Sequence, residues 1–232
     1  MFTLEIHEKK SMPKLSWLAC FEDNLEKMEI YCGPMVEISK DWLFEGCWDG
    51  KFKDGDFDRV EIVMGTGIRV RDSKVHFVTP SHVYDKLFRV KYKSRWYVSN
   101  SLPIILAKTG LSLDININYW PIMSYVMKGI EKPSFAIPTS QGVSIECVYY
   151  ENMTWNGLEF IEFRKPLQTP RFYCFAEYKN FLFNKMKSLS TNLNAESRKY
   201  KPEIISTISS DLSTPFESIS IIPVMNLWNF PT

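Results

Sequence analysis

The sequence predicts a layered α+β fold, and three observations carry that prediction. Short apolar stretches with period two run from about residue 57 to residue 100. The period then shifts to three and four, first at 101–110 and again at 176–200. A hairpin signal, Asn156-Gly157, lies between those helical segments. Strands grouped before helices, without regular alternation of the two, is the pattern of segregated sheet and helix layers.

Each element follows from local chemistry. Residues 1–40 give little beyond a turn at Tyr31-Cys-Gly-Pro34. Phe57, Val60, Ile62, Met64, Ile68 and Val70 then mark an extended segment around Gly65-Thr-Gly67. Asp72-Ser73 reads as a turn into a short strand at 75–78. Residues 87–92 alternate as a half-buried strand should, and a turn at Ser94-Arg95 leads to a hairpin partner at 95–100. Ser101, Pro103 and Gly110 suit the cap, first turn and stop of a short helix. Asp114 or Asn116 would cap a second helix through Met127, ending near Gly129. Strands at 143–151 and 158–164 would pair across Asn156-Gly157. Tyr178, Phe181, Leu182, Lys185, Met186 and Leu189 give one face of a helix over 176–200, stopped by Pro202. A strand at 203–208 and a hydroxyl-rich loop at 209–215 follow.

Composition excludes several functions. The 232 residues are 45% hydrophobic and 24% charged, an ordinary globular balance. Twenty-eight Lys and Arg against 27 Asp and Glu leave no basic excess for nucleic acid. No apolar run has the roughly 18 residues of a membrane span, and charges interrupt the N-terminus where a signal peptide needs an apolar stretch. The expected setting is cytoplasmic. Cys20, Cys32, Cys47, Cys147 and Cys174 are scattered, with no C-x-x-C pair, and fit a reduced compartment. His76 and His82 lie six apart, but Pro80 interrupts the strand that would align them, so no metal site is expected. Asp54, Asp56 and Asp58 imitate the start of a calcium loop. Arg59 and Gly65 then stand where such a loop needs glycine and glutamate, so the run reads as a polar turn.

Three stretches resemble the asparagine synthetase family. Val75-His-Phe-Val-Thr-Pro-Ser-His82 followed by Arg95-Trp-Tyr-Val-Ser-Asn-Ser-Leu-Pro-Ile-Ile-Leu-Ala-Lys-Thr-Gly110 is similar to the family's strand, hairpin and short helix. The helix, loop and hairpin of 114–164 is the second, and the strand and loop of 203–215 the third. The resemblance covers roughly 55–215. It implies a four-layer sandwich of two antiparallel sheets with helices, of the N-terminal-nucleophile amidotransferase kind, over 1–172. A truncated start of an ATP-pyrophosphatase-like α/β domain, a helix and its first strand, would occupy 173–232.

The departures shape the functional expectation. The family's glutamine-hydrolysing members use an N-terminal cysteine activated by its own amine, whereas Met1 is followed here by Phe2 and Cys20 is internal. No catalytic residue is therefore expected. Against the family's S-S-G-x-D-S loop the chain gives Ser209, Ser210, Asp211, Leu212, Ser213 and Thr214. Ser209, Ser210, Asp211, Ser213 and Thr214 would be the remnant of the ATP-binding loop. Asp211 replaces the glycine whose backbone approaches phosphate, and adds a negative charge there. ATP and magnesium are implied by the family; no cofactor is expected for this chain. The resulting expectation is an inactive asparagine-synthetase-like ligase relative. The alternative is an interaction or scaffold module that pairs with a separate catalytic chain, and an unrelated α+β binding protein is a third reading. Apolar side chains in 216–232 would mediate self-association or contact a partner.

Overall fold

The computed structural model describes residues 2–166 and 170–201. These form a mixed α+β fold with one seven-stranded and one six-stranded sheet. In chain order the strands are β1 Thr3–Glu8, β2 Trp17–Glu22, β3 Lys27–Cys32, β4 Glu37–Ile38, β5 Trp42–Trp48, β6 Val63–Arg71, β7 Lys74–Val78, β8 Leu87–Tyr92 and β9 Arg95–Ser99. Helix α1 (Leu102–Thr109) and a single turn, α2 (Trp120–Met123), follow. Then come β10 Ser134–Pro138, β11 Ser144–Val148, β12 Asn152–Trp155, β13 Phe160–Phe163 and the long helix α3, Phe175–Leu193.

The first sheet has the order β1-β3-β2-β9-β8-β11-β10 and the second β13-β12-β7-β6-β5-β4. The expectation of two antiparallel sheets needs correction at one edge, because β1 pairs with β3 in parallel. Period-two alternation sends Trp17, Ala19 and Phe21 of β2 to the core between the sheets, where they meet Leu43, Ile68, Phe77 and Trp155. Leu18 and Cys20 point the other way, into a cluster with Ile105 and Leu111 beneath α1. The far face of the second sheet buries Trp42, Phe44 and Trp48 with Phe52 and Phe57, and α3 packs against β5 on this sheet.

Local signals explain several elements. Asp72 and Ser73 have φ of 51° and 54°, and Lys93 and Ser94 have 49° and 64°, so both hairpins close through left-handed pairs that match strand twist. Gly110, with φ 74°, ends α1 as expected. Gly46 and Gly65 face each other across β5 and β6, and a Cβ on Gly46 would lie 1.9 Å from the Met64 carbonyl oxygen.

Other expectations are corrected. The segment 143–151 is not one arm of a hairpin. β11 pairs with β10 and β8 in the first sheet, and the chain then crosses to the second sheet, where β12 makes the hairpin with β13. Tyr150, at φ 65°, marks the crossing. The second helix is cut short at Met123 and continues only as a 3-10 segment, with Gly129 non-helical at its end.

The long helix also stops at Leu193 rather than at 200, because the following turn serves Arg198. The Arg198 guanidinium donates to the Gly46 carbonyl at 2.8 Å, the Asn192 carbonyl at 2.8 Å and the Asn192 Oδ1 at 2.6 Å. It lies 3.6 Å from Glu37 and 4.3 Å from the Phe52 ring centre. Glu37 also accepts the backbone N–H groups of Lys199 and Tyr200, at 3.0 and 3.1 Å. This clasp fastens the C-terminal end of α3 to the second sheet.

Candidate functional site

Register aligns part of the polar interior across the second sheet. Asn152 pairs with Phe163, Met153 with Phe77, Val78 with Gly67, and Thr66 with Glu45. Lys165, Asn152, Thr79, Thr66 and Glu45 therefore fall in a row across five adjacent strands, the first three at or just beyond strand ends and Thr66 and Glu45 within β6 and β5. The first sheet contributes Trp17 from the start of β2, whose indole reaches Thr66, and Ser99 and Asn100 from the end of β9, which bond the Trp17 backbone.

The row is closed by its own hydrogen bonds. Lys165 Nζ donates to Asn152 Oδ1 at 2.5 Å and Thr79 Oγ1 at 3.0 Å. The Thr79 hydroxyl donates to the Glu151 carbonyl at 3.0 Å, and its backbone N–H to Asn152 Oδ1 at 3.2 Å. Trp17 Nε1 donates across the sheets to Thr66 Oγ1 at 2.9 Å, and Thr66 passes its own proton to Glu45 Oε1 at 2.8 Å. The Thr66 N–H donates to the same oxygen at 2.8 Å. Asn100 accepts the Trp17 N–H at 2.9 Å and donates to the Leu15 carbonyl at 3.0 Å. Ser99 donates to the Trp17 carbonyl at 2.5 Å.

Burial shifts the titrating groups toward their neutral forms. The Lys165 side chain is 3% exposed, and loss of hydration pushes its pKa down to about 7 against a weaker pull from Glu151. Glu45 is half-buried by surface but densely surrounded, and desolvation pushes it up to about 8. The Thr66 hydrogen bonds oppose that shift and the nearby Asp85 charge adds to it. His82 lies 3.6 Å from Asp85. Burial lowers its pKa, Asp85 opposes, and Lys165 adds to the lowering. Its Nδ1 is buried without a hydrogen-bond partner among the described residues. A raised acid beside lowered bases is a functional-site signature in general. Here the hydroxyl protons of Ser99, Thr66 and Thr79 are all committed to protein acceptors, and the lysine is sealed in. Among the described residues the row presents no exposed nucleophile.

Four of the five cysteines offer none either. Desolvation pushes Cys20 and Cys32 up to about 11 and Cys47 and Cys147 up to about 12, so all four are thiols near pH 7. Cys174 is exposed, just before α3. Phe2, where the resemblance would place a nucleophile, packs against the core between the sheets.

The other sequence candidates are structural where described. His76 bonds Thr154 at 3.0 Å, separated from His82 by the turn at Pro80. Asp56 and Asp58 lie 2.5 and 3.5 Å from Arg71, which is the polar-turn role. No group of three or more metal-ligating side chains occurs among the described residues. No helix among them is long and apolar enough to cross a membrane. Ser209, Ser210, Asp211, Ser213 and Thr214, the strand at 203–208 and the segment 216–232 lie outside the described residues. Sequence reasoning passed over Lys165, Glu45, Thr79 and Asn152. Only Thr66, a polar residue flanked by two glycines in a strand, was a local signal for this row.

No known protein family matches the chain, and no curated protein or solved structure is detectably similar to it.

Proposed function

We propose that this chain is a relative of asparagine synthetase in which the amidotransferase-like, N-terminal-nucleophile sandwich acts as a scaffold and not as a glutaminase. The observation that carries the reading is the fate of the nucleophile position. Phe2 is an apolar anchor in the inter-sheet core, and the four interior cysteines are held as thiols. Support for the sandwich comes from the layering: α1 and α2 lie against the first sheet and α3 against the second, with the main core between. The ligase chemistry of such a family belongs to an ATP domain, and this chain carries no nucleotide step of its own. Free thiols throughout suit the reducing cytoplasm.

The scaffold reading is favoured over loss of all function by α3. The N-terminal half of α3 carries Phe175, Tyr178, Leu182 and Phe183 at the surface, each at least 40% exposed, and Phe172 packs on the rings of Tyr178 and Phe181. The test is incubation with glutamine and measurement of glutamate and ammonia. The expected result is no release above a protein-free control. Sustained turnover that iodoacetamide abolishes would overturn the proposal.

A further inference from the structure

The segment between α1 and β10 lies over the outer face of the first sheet, yet no residue from 112 to 134 is fully buried. Its inner side is firmly held. Tyr119, Ile122 and Tyr125 pack on the cluster beneath α1. The Tyr119 hydroxyl donates to the Pro138 carbonyl at 3.0 Å and accepts the Asp114 N–H at 2.8 Å. The hydroxyl of Tyr149 lies within hydrogen-bonding distance of the Tyr125, Gly129 and Lys132 carbonyls. The outer side is apolar as well. Ile115 is 96% exposed, Met127 82% and Trp120 75%, and Leu113, Met123 and Ile130 are each exposed by more than a third. A helical segment that is apolar on both sides belongs in an interior, and apolar surface on this scale marks an uncompleted contact.

We infer that this surface pairs with its counterpart on a second copy of the chain, in a two-fold contact. Charge points to that occupant. The segment carries Asp114 and Glu131 alongside Lys128 and Lys132, two charges of each sign. Such a surface complements itself, whereas one of a single sign would repel its own copy. The same balance gives an anionic lipid surface no electrostatic pull on it. These charges do not satisfy one another within the chain. Both lysines lie over the Tyr125 ring, at 4.6 and 5.7 Å from its centre, and none of the four has a salt bridge among the described residues. In a two-fold contact Glu131 of each copy meets Lys128 of the other.

The size is also right. A tryptophan alone contributes about 150–250 Å² when covered. Six large apolar side chains with a charged rim approach the roughly 800 Å² that each partner gives to a standard interface. This inference stands independently of the amidotransferase reading, since it uses only surface chemistry.

The test is sedimentation velocity of the full chain across the micromolar range. The expected result is a reversible monomer–dimer equilibrium. Met127→Glu, a change at an exposed position, should weaken the dimer by about tenfold or more. Lys128→Glu and Glu131→Lys should each weaken it severalfold, and the chain carrying both should recover it, because the swap restores opposite charges across the two-fold axis. A chain that is monomeric throughout, or a dimer that Met127→Glu leaves intact, would overturn the inference. So would a monomer that binds anionic vesicles through Met127, which would assign the surface to lipid. Failure of the double swap to recover the dimer would remove the charge argument and count against this occupant.

Discussion

Two interior cations of this protein are treated in opposite ways. Arg198 meets a carboxylate, two backbone carbonyls and an aromatic face, and it ties α3 to the second sheet. Among the described residues, Lys165 donates to a hydroxyl and an amide oxygen. The guanidinium's five donors suit several acceptors held in a plane, and its charge persists when buried. The ammonium has no carboxylate within hydrogen-bonding distance among the described residues, and burial pushes its pKa down. The arginine thus acts as a permanent fastener. The lysine is a conditional one that depends on pH.

The contrast predicts a graded set of losses. Arg198→Met should be the most damaging change. It strands Glu37 as a buried charge and leaves the Gly46 carbonyl without its donor, at a cost of about 3–5 kcal/mol. Urea unfolding measures it, and a loss below about 1 kcal/mol would deny Arg198 its fastening role. Lys165→Met removes a donor without stranding a charge, and should cost about 1–2 kcal/mol at neutral pH.

That smaller effect should change with pH in a definite direction. The folded-state pKa of Lys165 is lowered from 10.5 to about 7. Between those values the unfolded chain binds more protons, so stability rises as pH rises through the window. Below about pH 7 the penalty of burying the charged amine is fully present. Urea midpoints at pH 7 and pH 9.5 should therefore diverge further between the wild type and Lys165→Met at the higher pH. An equal gap at both would contradict the lowered pKa.

Glu45 should give the smallest effect, with the opposite slope. Its folded pKa is raised from 4.5 to about 8. The folded state then holds the extra proton, and stability falls as pH rises through that window. Glu45→Gln keeps an oxygen for the two Thr66 donors and should flatten the slope, leaving the variant relatively more stable at pH 8 than at pH 5.

The two regions also differ in how far the sequence announces them. Hairpin turns at Asp72-Ser73 and Asn156-Gly157, and the stop of α1 at Gly110, are written in a few adjacent residues and appear where expected. The parallel pairing of β1 and the crossing of the chain between sheets near Tyr150 depend on strands far apart in sequence, and no local pattern encodes them. The same holds for the polar row. Lys165, Asn152 and Thr79 lie on three strand ends, and only register places them together. The end of α3 escapes the local pattern for a related reason. Its period continues past Leu193, but Arg198 turns the chain back toward partners on β4 and β5.

The central claim is that the four buried cysteines are not activated nucleophiles, and thiol reactivity tests it most directly. The native protein is exposed to limiting iodoacetamide at pH 7, and alkylation of each cysteine is followed by mass spectrometry. The account predicts that exposed Cys174 is modified first, while Cys20, Cys32, Cys47 and Cys147 stay unmodified until the protein is unfolded. Rapid alkylation of any of those four in the folded protein at pH 7 would contradict it.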